Sequence, residues 1–220
     1  MSARRDHLLD LAERVLERDG LEAFGVNALA REAGIRPPSL YKHFAGASEL
    51  EHALVARWFR RLAREMDGTV AGSCSCSCSG SGSGSGSRSD AATRTDTDDL
   101  LTAFASVYRE VARGAPQLYR LATERPLDRE MLERIDAGCE QAAMAAILEL
   151  FGEAPESRTQ DRDSHDRSHD GSHDPNRDHT RARLAWAAAH GLVSLEIAGR
   201  FPPGADLDAA WRRLVEALAG

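Results

Sequence analysis

The sequence predicts an all-α protein, and three observations support that fold class. Apolar side chains recur every three or four residues along almost every segment of varied composition, which is the period of an amphipathic helix. Gly and Pro stand at positions where such helices begin and end. No convincing run of four to eight residues alternates apolar and polar side chains as a half-buried strand would. We therefore expect about nine helices.

The first four helices follow from their stripes and end signals. Helix one ends at Gly20 and helix two at Gly34, and Pro37 opens helix three, where a missing N–H is harmless. The spacing of Ser48 and Glu51 predicts a capping box for helix four. The stripes are Leu8, Leu11, Ala12, Val15 and Leu16, then Val26, Leu29, Ala30 and Ala33, then Leu40 and Phe44, and then Leu50, Leu54, Trp58 and Leu62.

The later helices are predicted in the same way. Leu100, Phe104, Val107, Tyr108 and Val111 define helix five. Helix six lies between Pro116 and Pro126, helix seven runs unbroken from Asp128 to Gly152, helix eight covers about 178–201, and Asp206 caps helix nine. Two polar tracts, at about 70–95 and 153–177, have nothing to bury and are predicted to be disordered linkers.

The charge of −7 is distributed unevenly. Residues 1–66 hold eleven basic and ten acidic side chains, a net charge of +1, so the remainder carries −8. This asymmetry is compatible with a DNA-binding head on an acidic body. Neither a membrane-spanning run nor a signal peptide is found, which predicts a cytoplasmic protein without a membrane partner.

Residues 21–54 have the spacing of a helix-turn-helix. Two short helices are separated by residues 34–36, and Gly34 permits the tight turn between them. Residues 28–34 read ALAREAG, and residues 39–44 read SLYKHF. At this spacing they resemble the N-terminal domain of the tetracycline-repressor (TetR) family. The resemblance implies a homodimer, a palindromic operator on double-stranded DNA, and a C-terminal bundle controlled by a small molecule that the sequence does not identify.

The resemblance also implies roles for individual residues. Leu40 and Phe44, four residues apart, are expected to pack inward. Residues expected to touch phosphates are Ser39, Tyr41 and His43, and those expected near base edges are Arg36, Pro37, Pro38 and Lys42. The chain departs from the family pattern at Ala47, where a lysine is usual, and at Gly25, where threonine is common. Both departures predict weaker DNA binding.

The C-terminal half resembles the WHG type of TetR-family C-terminal domain, through Trp186, His190 and Gly191. We therefore expect a DNA-binding domain at 1–47 and a ligand-sensing, dimerising domain at 48–220. Candidate pocket residues are Phe104, Tyr108, Tyr119, Met131, Met144, Trp186 and His190, although each is also a suitable core residue. Candidate dimer-interface residues are Leu195, Trp211, Leu214 and Leu218.

Two alternatives remain open. Cys74, Cys76 and Cys78 alternate with serine, and Ser-His-Asp occurs three times within 164–174, which suggests a metal- or redox-responsive regulator. The Cys spacing is too short for a usual zinc site, and both tracts resemble repeat-slippage products. The other alternative is a helical ligand-binding protein that has lost DNA binding. We find no enzyme or nucleotide-binding motif, so no catalytic residue, metal site or cofactor is predicted.

Overall fold

The computed structural model describes residues 3–73, 90–150 and 180–219, and these ranges contain ten helices and no strand. The all-α prediction is confirmed. None of the helices in these ranges has both the length and the apolarity that crossing a bilayer requires. The helices are α1 (Ala3–Asp19), α2 (Val26–Glu32), α3 (Pro37–Leu40), α4 (Ala47–Ser73), α5 (Asp90–Gly114), α6 (Pro116–Glu124), α7 (Arg129–Ile135), α8 (Cys139–Leu150), α9 (Thr180–Ile197) and α10 (Leu207–Ala219).

The segment predicted as an unbroken helix seven is two helices, which accounts for the tenth. Asp128 caps the first of them as expected, since its carboxylate accepts the N–H of Met131 at 3.0 Å. That helix, α7, ends at Ile135, and α8 begins at Cys139. Gly138 lies between them at φ 73°, a left-handed conformation that glycine adopts without a Cβ clash.

The ends of the first predicted linker, at about 70–95, are helical. Helix α4 continues to Ser73, and α5 begins at Asp90. Residues 74–89, with the three alternating cysteines, lie outside the described residues, as does the whole of the second predicted linker at 153–177. The linker and metal-binding predictions for those tracts therefore stay predictions.

Helices α1, α2 and α3 pack together and form a small unit, which we call the head. Gly34 turns the chain between α2 and α3 at φ 64°, as the sequence predicts. The apolar side chains of the head that are at most 4% exposed are Leu8, Leu9, Ala12, Val15, Leu16, Leu21, Leu29, Ala30, Leu40 and Phe44. Burial of this set holds the short α3 on α1 and α2, because a four-residue helix has little stability of its own.

We call α5–α10 the body of the protein. Helix α4 runs from the head into this body and packs against α1, α5, α6, α7 and α8. Its predicted stripe is confirmed: Leu50, Leu54, Trp58 and Leu62 are all at most 2% exposed. The predicted Ser48–Glu51 capping box is wrong. The carboxylate of Glu49 instead accepts the N–H of Ala45 at 2.6 Å, two residues before the helix begins.

Ion pairs hold α4 on α1 alongside this apolar contact. Arg57 donates to Asp10 at 2.6 Å, and Arg61 pairs with Glu13. Glu13 is also 3.7 Å from Arg57, so the two arginines share one carboxylate. The head and the first turns of α4 are therefore joined by both apolar and ionic contacts.

His52 is the buried polar side chain of α4, and it ties the start of α4 to the loop before α7. Its Nε2 atom accepts the backbone N–H of Asp128 at 2.9 Å. Its Nδ1 atom lies 2.7 Å from the carbonyl oxygen of Ser48. Because Nε2 accepts a hydrogen bond, this network assigns the ring proton to Nδ1, which donates to that carbonyl. His52 is 6% exposed, so both hydrogen bonds are shielded from water.

We predict that His52→Ala lowers the free energy of unfolding by about 2–3 kcal/mol, because it removes the acceptor of the Asp128 N–H and opens a cavity at a buried side chain. Urea unfolding followed by circular dichroism measures the change. The exposed His7→Ala is the matched control and should stay within about 0.5 kcal/mol of the unmodified protein. Equal stability of the two variants would contradict a structural role for His52.

Candidate functional site

We call α3, the second helix of the helix-turn-helix, the recognition helix, and residues 36–44 the recognition segment. This segment has one buried and one exposed side, as the sequence predicts. Leu40 and Phe44 are 2% and 3% exposed and anchor the helix on the head. Tyr41, between them, is 56% exposed. Pro37 occupies the first helical position, so its missing N–H leaves no helical hydrogen bond unmade.

All seven residues predicted to contact DNA lie together in residues 36–43. Arg36, Pro38, Tyr41 and Lys42 are exposed, whereas Pro37, Ser39 and His43 are half-buried. Arg36 and Lys42 form no ion pair within the described part of the chain, in contrast to Arg57 and Arg61 on α4. Two cationic side chains beside the recognition helix are therefore available for an external anion such as a phosphate.

Arg5 on α1 fixes the end of the recognition segment, a role that the sequence analysis missed. Its guanidinium donates to the carbonyl oxygen of His43 and, at 2.8 Å, to the carboxylate of Glu49. It also lies 4.6 Å from the ring centre of Phe44. Burial favours protonation of Glu49, but the N–H of Ala45 and Arg5 outweigh it and lower the pKa of Glu49. This charged group therefore joins α1, the recognition segment and α4.

Helix α6 is attached directly to the head. The carboxylate of Glu17, on α1, accepts the backbone N–H groups of Gln117 and Leu118 at 3.2 and 2.8 Å. These N–H groups belong to the first turn of α6 and have no partner inside the helix, so Glu17 caps it from another element. In return, the side-chain oxygen of Gln117 accepts the N–H of Leu21 at 3.2 Å.

Tyr119 of α6 contacts helices α4 and α9. Its ring meets Trp58 of α4 edge-on, with the ring centres 5.5 Å apart. Its hydroxyl oxygen lies 2.7 Å from Nδ1 of His190 on α9. His190 in turn stacks on Trp186 at 5.9 Å between ring centres. A continuous aromatic series therefore connects α9 to α4 through α6.

The structure brings together most of the predicted ligand-pocket residues, but as a close-packed cluster. Phe104, Tyr108 and Tyr119 are at most 3% exposed, and burial raises the pKa of Tyr108 above its usual value. Met144 is half-buried against the same core. Met131 lies apart from the aromatic series, because its sulfur accepts a contact of 3.6 Å from the hydroxyl of Ser48 at the start of α4.

A cavity of about 490 Å³ lies elsewhere, between α5 and α10. None of the predicted pocket residues lines it. The sequence offered no signal for this site, because its two walls are about a hundred residues apart and each is an ordinary amphipathic helix. In the described ranges, His, Cys, Asp and Glu side chains do not gather in threes or more as a metal site requires.

The predicted dimer-interface residues divide into two groups. Leu195 on α9 is 46% exposed, as an interface residue should be in a lone chain. Trp211 on α10 is 5% exposed, and its indole N–H donates to Glu196 at 3.3 Å, so it is a core residue of its own chain. Leu214 and Leu218 are half-buried against the core.

Comparison with known proteins identifies two matching family models. The model described as bacterial regulatory proteins of the tetR family matches residues 8–54, which contain the helix-turn-helix. The model described as the tetracyclin repressor-like C-terminal domain matches residues 101–218. The second match alone covers more than half of the chain, including Trp186, His190 and Gly191.

Individual relatives agree with these models. An uncharacterized HTH-type transcriptional regulator of Mycobacterium tuberculosis is 25% identical over 98% of this chain and 79% of its own length. The nicotine-responsive transcriptional repressor of Paenarthrobacter nicotinovorans is 34% identical over 32% of this chain and 36% of its own. A Rhodococcus protein of unknown function shares the fold, with a TM-score of 0.65, 22% identity, and 100% and 95% of the two chains covered.

We predict a pH dependence of stability that originates at His190. Burial lowers the pKa of this imidazole below 6.5, so the unfolded chain takes up the proton more readily than the folded one. The stabilisation from neutral His190 is complete above about pH 6.5 and is lost as the pH falls through the lower folded-state pKa. The free energy of unfolding should therefore fall between pH 7.5 and 5.0 less steeply in His190→Gln than in the unmodified protein. Parallel curves in urea unfolding would contradict this assignment.

Proposed function

Because the chain belongs to the TetR family of transcriptional regulators, we propose that it is a repressor whose dimer binds a palindromic operator and releases it when a small molecule binds the C-terminal bundle. The observation that carries the proposal is that Arg36, Tyr41 and Lys42 are exposed beside the anchored side chains of Leu40 and Phe44. The relative from Paenarthrobacter nicotinovorans, named as a nicotine-responsive repressor, supports this kind of regulation.

In this proposal, the recognition segment divides its DNA contacts between backbone and bases. Ser39, Tyr41 and His43 contact phosphates and set the register of the head on the duplex. Lys42 and Arg36 reach base edges in the major groove, where long cationic side chains favour guanine. Pro37 and Pro38, at the start of α3, lie near the base edges and limit how the backbone can approach. Arg5 supports these contacts by holding the carbonyl of His43 against α4.

The exposed side of α9 supports a dimer. Leu184, Ala188, Gly191 and Leu195 follow at intervals of four, three and four residues, which is the spacing of a helix–helix seam. Leu184 and Leu195 are 60% and 46% exposed. A Cβ atom placed on Gly191 would meet nothing within 4 Å in the described part of the chain. A second α9 can therefore approach closely there, and a two-fold axis would place two recognition helices roughly 34–36 Å apart.

Release of DNA requires that the bundle and the head move together. The cap of Glu17 on α6 and the aromatic series from Tyr119 to Trp58 provide the connection. A ligand that prefers a bundle with α6 or α4 displaced would change the spacing of the recognition helices. It can do so only to the extent that its affinity differs between the two arrangements.

The decisive experiment is an anisotropy titration of labelled DNA from around the protein's own gene, at two salt concentrations. Tyr41→Ala should weaken binding to operator and random DNA alike by about tenfold, because it removes a phosphate contact. Lys42→Ala should weaken binding to the operator more than binding to random DNA, because it removes a base contact. Arg64→Ala, an exposed arginine on α4, is the control and should bind as the unmodified protein does.

Two results of these DNA-binding measurements would contradict the proposal. If neither native DNA nor a random-sequence selection yields a bound fragment at low salt, the chain is a helical ligand-binding protein without DNA binding. If DNA binds but Tyr41→Ala and Lys42→Ala behave as Arg64→Ala does, the assignment of the recognition surface is wrong.

We predict that Ala47→Lys strengthens DNA binding at low salt. Ala47 is exposed at the first position of α4, where the family usually has a lysine that contacts phosphate. One added contact per subunit should steepen the dependence of log affinity on log salt by about 2 per dimer. Ala205→Lys adds the same charge at an exposed site of the body and should leave the slope unchanged. Equal slopes for the two variants would exclude a phosphate near residue 47.

We predict that Leu184→Glu combined with Leu195→Glu converts the dimer to a monomer, because four carboxylates would be buried in the seam. Analytical ultracentrifugation measures the mass. Tyr41→Glu, a similarly exposed apolar position on the head, is the matched control and should remain dimeric. A double variant that stays dimeric would place the interface away from this side of α9.

A further inference from the structure

The cavity between α5 and α10 is separate from the aromatic series. At about 490 Å³ its volume falls within the range of roughly 300–1,000 Å³ that is usual for small-molecule sites. One side of α5 and one side of α10 form its walls, and no residue of α9 lines it. It is therefore distinct from the exposed α9 seam.

The floor of this cavity is apolar. Ala105 of α5 and Trp211 and Val215 of α10 line it and are each at most 9% exposed. Trp211 is held in place by its hydrogen bond to Glu196 and by Arg109, whose guanidinium carbon lies 5.8 Å from the indole ring centre. Such a floor suits the hydrocarbon part of a ligand.

Three arginines line the cavity, and they differ in how firmly they are held. Arg109 donates to both carboxylate oxygens of Glu196, the shorter at 2.9 Å, and to Asp208 at 2.6 Å, so its hydrogen-bonding capacity is largely used. Arg113 is 3.4 Å from Glu196, whose oxygens Arg109 already occupies. Arg212 is 4.0 Å from its partner Asp206, and the side chains of Arg113 and Arg212 are 58% and 66% exposed. These two arginines are loosely held.

The arginines lower the pKa of the two neighbouring carboxylates, Asp208 and Glu196. A hydrogen bond from Arg109, followed by its charge and those of Arg212 and Arg113, lowers the pKa of Asp208. Burial opposes ionisation of Glu196, yet Arg109, Trp211 and Arg113 lower its pKa as well.

The remaining acidic groups of the lining are Glu216 and Glu110. Glu216 is already paired with Arg213 at 2.6 Å. Glu110 is the lining carboxylate without a partner in the described part of the chain. The lining therefore holds three arginines and three carboxylates, and an added anion gains from Arg113 and Arg212, whose contacts of 3.4 and 4.0 Å leave N–H donors available.

We propose that the α5–α10 cavity binds an amphipathic organic carboxylate, whose anionic group pairs with Arg113 and Arg212 and whose hydrocarbon part lies on Ala105, Trp211 and Val215. The site places its ligand beside the ion-pair cluster of Arg109, Glu196 and Asp208, which joins α5, α9 and α10. Binding does not depend on the proposed function. Only a role as effector rests on it, because Glu196 belongs to the helix that carries the dimer seam.

The test is isothermal titration calorimetry of the full-length protein with 4-phenylbutyrate, without DNA. The matched probes 4-phenylbutylamine and 4-phenylbutanol carry the same hydrocarbon with a positive and a neutral end group. The carboxylate should bind at least about tenfold more tightly than either, because it gains charge-assisted hydrogen bonds from the arginines. Equal affinities, a preference for the amine, or no heat of binding from the carboxylate would overturn the proposal.

Variants then locate the site. Arg113→Gln combined with Arg212→Gln should lower the affinity for 4-phenylbutyrate about tenfold. Ser106→Trp, at an exposed position of the lining, should fill the cavity and abolish binding. Arg134→Gln is the matched control, since Arg134 is 64% exposed in a surface pair of 3.6 Å and lies outside the cavity. Unchanged affinity in the double variant or in Ser106→Trp, with unfolding temperatures preserved, would place the ligand elsewhere.

The role as effector is read separately, by adding 4-phenylbutyrate to the protein–DNA complex in the anisotropy assay. Binding of 4-phenylbutyrate without any DNA binding would support the cavity as a ligand site and contradict the proposed function. DNA binding without a heat of binding from 4-phenylbutyrate would support the proposed function and contradict the cavity as a ligand site.

Discussion

Helix α4 buries Leu50, Leu54, Trp58, Leu62 and Met66 to 2% exposure or less, and both the head and the body are built against that stripe. Each such side chain contributes about 1.5–3 kcal/mol when it is fully removed from water. Separating the head from the body would expose part of the stripe to water. The head and the body are therefore coupled through a shared core, and a displacement of α4 would change the packing of both.

Polar contacts set how the elements are oriented on this core. Glu17 caps α6 from α1, His52 binds the loop before α7, and Arg5 joins the recognition segment to α4. Each of these links residues that are far apart in the chain and is at least partly shielded from water. Hydrogen bonds of this kind are directional, so they select one arrangement among those that apolar burial alone would allow. Two of the three attach the head, where the position of the recognition helix determines which bases can be reached.

The surfaces left open by this packing have different characters. Residues 36–43 present unpaired cations and a tyrosine, which suits an anionic polymer. The side of α9 that carries Leu184 and Leu195 is apolar and bordered by small residues, which suits a second helix. The α5–α10 cavity combines an apolar floor with two loosely held arginines, which suits the proposed small organic anion. A ligand there would act on the ion pairs that join α9 to α5 and α10, and so on the proposed dimer geometry.

Local pattern determined much of this protein from sequence alone. The helical period located nearly every element, Gly34 and Pro37 defined the turn and the start of α3, and the four-residue spacing of Leu40 and Phe44 separated the buried from the exposed side of the recognition segment. These features depend on neighbours within one or two turns. Two further features are local as well, the helix break at Gly138 and the hydrogen bond from Ala45 to Glu49, but the apolar period did not reveal them. Tertiary structure alone decided that Trp211 is buried in its own chain and that a cavity lies between α5 and α10. The burial of Trp211 and the position of the cavity were inaccessible to sequence reasoning because they depend on which helices, distant along the chain, pack side by side.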